Sequence, residues 1–155
     1  MEESAITQYI ADTFAGIDIV VASRDAGSPE VAWGDSFFFY DPNRDVPTDR
    51  RMPFATVVTK DYGEFDCASN LNRQGVFRLN LGIGKQTFAA LFGAAKPEDY
   101  DFAALDKIMP HPVYGKMYWV CVLNPGGETF QALQPLLTEA YQLAVSRYAK
   151  REALE

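Results

Sequence analysis

Between positions 76 and 83 the chain alternates without interruption. Phe77, Leu79, Leu81 and Ile83 fall on one side, Arg78 and Asn80 on the other. Successive side chains of a strand point to opposite faces, so this segment demands a sheet with one face packed on a core. A second segment, 117–123, is apolar at nearly every position and reads as a strand covered on both faces. Three more short runs, 17–21, 37–40 and 54–59, are β-branched or aromatic and bounded by Gly, Pro and Asp, which predicts three further strands.

The remaining periodic segments are helical. Ile6, Tyr9, Ile10 and Phe14 predict a helix over 4–14, with Gly16 beyond its end. A short helix is expected over 86–92, ended by Gly93, and another over 100–109. In the latter, Asp99 or Asp101 would cap, Phe102, Leu105 and Met109 would share a face, and Pro110-His111-Pro112 would stop it. The last helix carries a stripe from Phe130 through Leu133, Leu136, Leu137, Ala140, Tyr141 and Ala144 to Tyr148, and Pro135 inside it predicts a kink or a restart. The fold class is therefore α+β: a mostly antiparallel sheet of about five strands with helices on one face, in one domain over 1–155. A chain of 155 residues buries roughly two-thirds of its unfolded surface and needs no metal or cross-link to fold.

Charge narrows the partners. Fourteen Lys+Arg against 21 Asp+Glu leave a net charge of −7, whereas nucleic acid is held chiefly by cations against phosphate. The densest basic stretch, Arg44, Arg50 and Arg51, is interleaved with Asp41, Asp45 and Asp49, so nucleic-acid binding is not expected. Cys67 and Cys121 have no neighbouring cysteine or histidine, which argues against a zinc site or a disulfide framework, and Cys121 reads as a buried small hydrophobe. The acidic first residues lack the features of a signal peptide, and no apolar stretch approaches the roughly 18 residues of a membrane span. The expected compartment is the cytoplasm, with no membrane partner, no cofactor and no metal.

Several short motifs fail on inspection. Gly82-Ile83-Gly84-Lys85 opens a helix after a strand, but Leu79 and Gln86 stand where a phosphate loop needs Gly and Ser/Thr; it reads as a plain strand-to-helix turn. Gly34-Asp35-Ser36 suggests an esterase serine, yet the chain's one histidine, His111, has Ile108 where the partner acid would stand. Asp61, Glu64 and Asp66 lack the calcium-loop spacing and read as a solvated acidic loop. His111, held between two prolines and followed by Tyr114 and Trp119, suggests an aromatic-walled pocket; its plain alternative is a cap bonding a backbone carbonyl. Arg78 and Asn80 would grip an anion if their face were open, but they read better as a wet face on which Arg78 pairs with an acid.

With these segments placed, the chain resembles an uncharacterised family of small bacterial proteins, a domain of unknown function. The matching stretches are Phe37-Phe38-Phe39-Tyr40-Asp41-Pro42, Asp49-Arg50-Arg51, Pro53-Phe54-Ala55-Thr56, Gly75-Val76-Phe77-Arg78-Leu79-Asn80, Ala103-Ala104-Leu105-Asp106, Met109-Pro110-His111-Pro112-Val113-Tyr114 and Trp119-Val120-Cys121-Val122-Leu123-Asn124-Pro125. More remotely, the segment order is similar to the MmcQ/YjbR-like proteins, in which a His and a Trp lead into a late strand and an Ala-Tyr, here Ala140-Tyr141, sits in the last helix. That resemblance implies a CyaY-like α+β architecture and carries a DNA-binding label.

The expected function is binding of a small ligand or a protein partner without catalysis. The groups to watch are Arg78, Asn80, His111, Tyr114 and Trp119, with Arg50 and Arg51 as anion-facing candidates. The alternative is an enzyme using His111 as general acid/base, with Arg78 or Arg51 orienting an anionic substrate. DNA binding, disfavoured by charge, stands third.

Overall fold

A computed structural model describes residues 1–154 and shows one wholly antiparallel sheet. Its strands are β1 (Ile17–Val21), β2 (Ser36–Tyr40), β3 (Ala55–Val58), β4 (Arg78–Gly82), β5 (Met109–Pro110) and β6 (Trp119–Leu123). The helices are α1 (Glu3–Thr13), α2 (Lys85–Phe92) and α3 (Gly127–Leu154). The spatial order β1-β2-β3-β4-β6-β5 makes the first four strands a meander, with β6 beside β4 and β5 at the edge.

Register lines up the apolar positions. Leu79 pairs with Val57 and Val122, and Leu81 with Ala55 and Val120, so the alternation of β4 continues across three strands. This face buries against Ile6 and Ile10 of α1 and Leu133, Leu137 and Ala140 of α3. The opposite face carries a second, smaller cluster of Val58, Leu71, Met109, Cys121 and Leu123, packed by Tyr62, Val76, Tyr100 and Phe102. Loop segments cover it, not helices.

Two expectations need correction. The predicted helix over 100–109 does not form; that stretch is irregular and ends in β5, a strand beyond the five expected. Its backbone groups are taken by distant partners: Arg73 Nη2 donates to the Ala103 carbonyl at 2.9 Å, and the Asp106 amide donates to the Leu123 carbonyl at 2.6 Å. Asp106 itself is left-handed, φ 58°, and Met109 pairs with Cys121. An isolated ten-residue helix is marginal in water, so such contacts overrule its periodicity. The last helix, conversely, is continuous from Gly127 to Leu154 and does not restart at Pro135. Pro135 and Gln131 are both exposed, so the carbonyl deprived of its intrahelical donor faces solvent.

Two turns show side chains doing local work. The Gly84 amide and the Thr87 hydroxyl at the start of α2 both donate to Glu139, at 2.7 and 2.6 Å. The helix N-terminus that resembles an anion site is thus filled by the chain's own carboxylate. Asp35, fully buried, accepts from the Thr59 amide and hydroxyl, each at 2.8 Å, and from Tyr62 at 2.5 Å. It pins the β3–β4 loop to the start of β2, a structural role that leaves Ser36 as an ordinary strand residue. Among the described residues, no helix is long and apolar enough to cross a membrane.

Because Pro135 occupies an exposed interior helix position, Pro135→Ala is expected to stabilise the protein by about 2 kcal/mol in urea unfolding.

Candidate functional site

β4 also makes the floor of the site. Arg78 lies between Val58 and Leu123, and Asn80 between Thr56 and Cys121, on the face away from α1 and α3. That face is not wet at this point: Arg78 is 1% exposed and Asn80 3%. The β3–β4 loop folds back over it and supplies the partners. Arg78 donates from Nη1 to Asp66 Oδ1 at 3.0 Å and Ser69 Oγ at 2.9 Å, from Nη2 to Asp66 Oδ2 at 2.5 Å, and from Nε to Asn80 Oδ1 at 2.8 Å. Arg78 does pair with an acid, but a buried one, and Asp66 belongs to the floor instead of a solvated loop. Asn80 Nδ2 donates onward to Thr56 Oγ1 at 3.0 Å. A fork-to-fork pair with this much support satisfies the condition under which a buried charge is tolerated.

His111 reverses the capping expectation. Its Nδ1 accepts from the amides of Val113 and Tyr114, both at 3.0 Å, instead of donating to a carbonyl. Two donors on Nδ1 assign the ring proton to Nε2. There it faces Arg78 Nη2 at 3.1 Å, itself a donor, with Asp66 Oδ2 farther away at 4.0 Å. Two N–H groups therefore converge with no good acceptor between them. Burial, reinforced by the Arg78 charge, pushes His111 down to about 3, with Asp66 opposing; the imidazole is neutral at pH 7. Burial likewise pushes the Cys121 thiol up to about 12 and, with Asp35, holds Tyr62 as a neutral phenol.

Above this floor lies a pocket of about 360 Å³ walled by Phe37, Pro53, Val58, Tyr62 and Trp119. Its rim is apolar yet open to water: Met52 is 50% exposed, Phe65 65%, Tyr114 37% and Met117 54%. Trp119 lies flat over Gly82, where a Cβ would stand 3.0 Å from its Cε2, so the glycine is what admits the indole.

The structure brings Arg78, Asn80, His111, Tyr114 and Trp119 together in this one pocket. Arg50 and Arg51 are elsewhere, in a separate cleft against α3. Arg51 is held by Asp18 at 2.7 Å and Asp41 at 3.2 Å and lies 3.9 Å over Phe39. Asp66, Thr56, Met52, Phe65 and Met117 escaped the sequence reading. A signal for Asp66 existed, since an arginine on a strand this apolar needs a carboxylate, and the acidic run at 61–66 is the nearest supply. The exposed Phe and Met carry no such signal.

These features define an antiparallel α+β protein with an apolar-walled pocket over a neutral, buried Arg–Asp–His floor. The chain belongs to a family of unknown function (DUF6194), whose model matches residues 1–153. No curated protein and no solved structure matches it.

Two measurements probe the floor. Asp66→Asn strands the Arg78 charge and is expected to cost about 3 kcal/mol, whereas Arg78→Met with Asp66→Leu together costs less than that single change; urea unfolding compares them. For His111 the unfolded chain takes up a proton near pH 6.5, but the folded ring stays neutral down to about 3. Stability is therefore lost as pH falls below 6.5, with a slope approaching about 1.4 kcal/mol per unit. In His111→Gln the slope between pH 6.5 and 5 flattens by one proton.

Proposed function

We propose that this protein binds a small, uncharged ligand with an apolar or aromatic body and one acceptor oxygen. One observation carries the reading: an apolar-walled pocket whose floor sets the His111 Nε2 proton against the Arg78 Nη2 donor at 3.1 Å, leaving the Nε2 proton without an acceptor. A carbonyl or hydroxyl oxygen seated over the pair, at hydrogen-bond distance from each nitrogen, would accept from both. Asp66 already balances Arg78, and His111 is neutral, so the floor has no net charge to offer an anion. The volume lies in the range of ligand sites, and the exposed aromatic and methionine rim gives the apolar body a place to leave water.

Binding fits these groups better than proton transfer. His111 Nδ1 is occupied by backbone, Ser69 Oγ accepts from Arg78, and Cys121 is held as a thiol, so no nucleophile is paired with a base. The reading treats residues 1–155 as one domain, since a single sheet carries both apolar clusters. The placement of His111 ahead of β6, of Trp119 at its first position and of Tyr141 in α3 supports the MmcQ/YjbR-like likeness as a remote relationship.

In a Trp33→Phe protein, Trp119 is the sole indole. Titration with the neutral probes 1-naphthol and indan-1-one is expected to quench and shift its emission and to raise Tm. Phe65→Ser is expected to weaken the better probe at least fivefold, leaving stability nearly unchanged because Phe65 is largely exposed. Unaltered emission and Tm at millimolar levels of both probes would refute the proposal.

A further inference from the structure

We propose that the cleft between β2 and the C-terminal part of α3 is an anion site for a phosphoryl group carried by a small soluble molecule. The cleft holds about 250 Å³, and Arg50, Arg51, Arg147 and Arg151 all line it. It adjoins the neutral pocket, sharing β2 and Met52 with it, but the polar groups that line the two are different.

Arg51 is already answered by Asp18 and Asp41, although its buried Nε has no partner. The other three differ. Among the described residues, Arg50, Arg147 and Arg151 make no ion pair. Asp45 and Glu152 lie near the Tyr148 wall of the cleft and Asp49 beside Arg50, but none forms an ion pair with these three arginines. Arg147 and Arg151 stand one turn apart on one face of α3, where like charges repel. Arg151 Nη2 donates to the Arg50 backbone carbonyl at 3.3 Å, which ties the end of α3 to the turn that carries Arg50. Arg50, Arg147 and Arg151 are all exposed at the mouth of the cleft, and partial burial of the Arg147 side chain lowers its guanidinium from the ordinary value. A chain of net charge −7 thus gathers four of its 14 Lys+Arg around one notch.

The geometry selects the class of anion. Arg50 approaches from the loop before β3, Arg147 and Arg151 from the helix. A planar carboxylate offers two oxygens in one plane, whereas tetrahedral phosphoryl oxygens accept guanidinium forks from several directions. The notch is also small and walled by Tyr40 and Tyr148, which suits a compact molecule and not a polymer backbone.

The test uses inorganic pyrophosphate at low salt, followed by calorimetric titration and Tm. One-to-one binding is expected, weakened at least tenfold in Arg147→Gln and in Arg50→Gln, with Lys85→Gln, on α2, unchanged. Circular dichroism confirms that the variants fold. Phosphorylated sugars binding as pyrophosphate does, with the same losses, support the proposal. Absence of binding at about 10 mM pyrophosphate, losses equal in all three variants, or tighter retention of duplex DNA or phosphatidylglycerol vesicles would each overturn it.

Discussion

A guanidinium buried in the middle of a sheet is the constraint around which this protein is arranged. Arg78 leaves β4 on the side away from the helices, where water would ordinarily solvate it, and instead lies 1% exposed. Desolvating that charge is unfavourable unless a carboxylate and further acceptors follow it inside. Asp66, Ser69 and Asn80 meet the requirement, and two of them arrive on the β3–β4 loop. The path of that loop, and with it one wall of the pocket, follows from the need to answer one charge.

The two faces of the sheet are therefore closed by different means. Toward α1 and α3 the closure is apolar and tolerant of exact placement, since burial is non-directional. Toward the loops a smaller apolar cluster is joined by directional links: Asp35 ties residues 59–62 to β2, Arg73 ties the Ser69 and Ala103 carbonyls together, and Asp106 accepts from the Gly126 amide at 2.7 Å. Directional links hold a shape open better than apolar contact does. The pocket over Arg78 lies on this loop side, with aromatic and methionine side chains at its rim.

Elements whose stability is local, or whose partners carry the same period, were legible. The alternation of 76–83 and the stripe of the last helix both name their buried residues correctly, Leu79 and Leu81 in one case and Leu133, Leu137 and Ala140 in the other. The stretch 100–109 was not legible, because its helical spacing competes with hydrogen bonds to Arg73 and Leu123 that no local pattern announces. Half of the site was readable for a similar reason. Arg78, Asn80, His111, Tyr114 and Trp119 lie on or beside recognisable strands, while Asp66 sits in a loop and enters only through its tertiary pairing.

By itself, the amino-acid order determined which faces of the strands turn inward, that the class is α+β, and that the net charge is acidic, because periodicity and composition are properties of neighbours along a chain. Only the folded structure decided that the second face is dry above β4, that His111 accepts hydrogen bonds from backbone while facing an arginine, and that Arg50 meets Arg147 and Arg151 in one cleft. Those outcomes depend on distances between groups far apart in sequence. Desolvation and charge pairing act through space, and their sign is set when the loops and the last helix close around them.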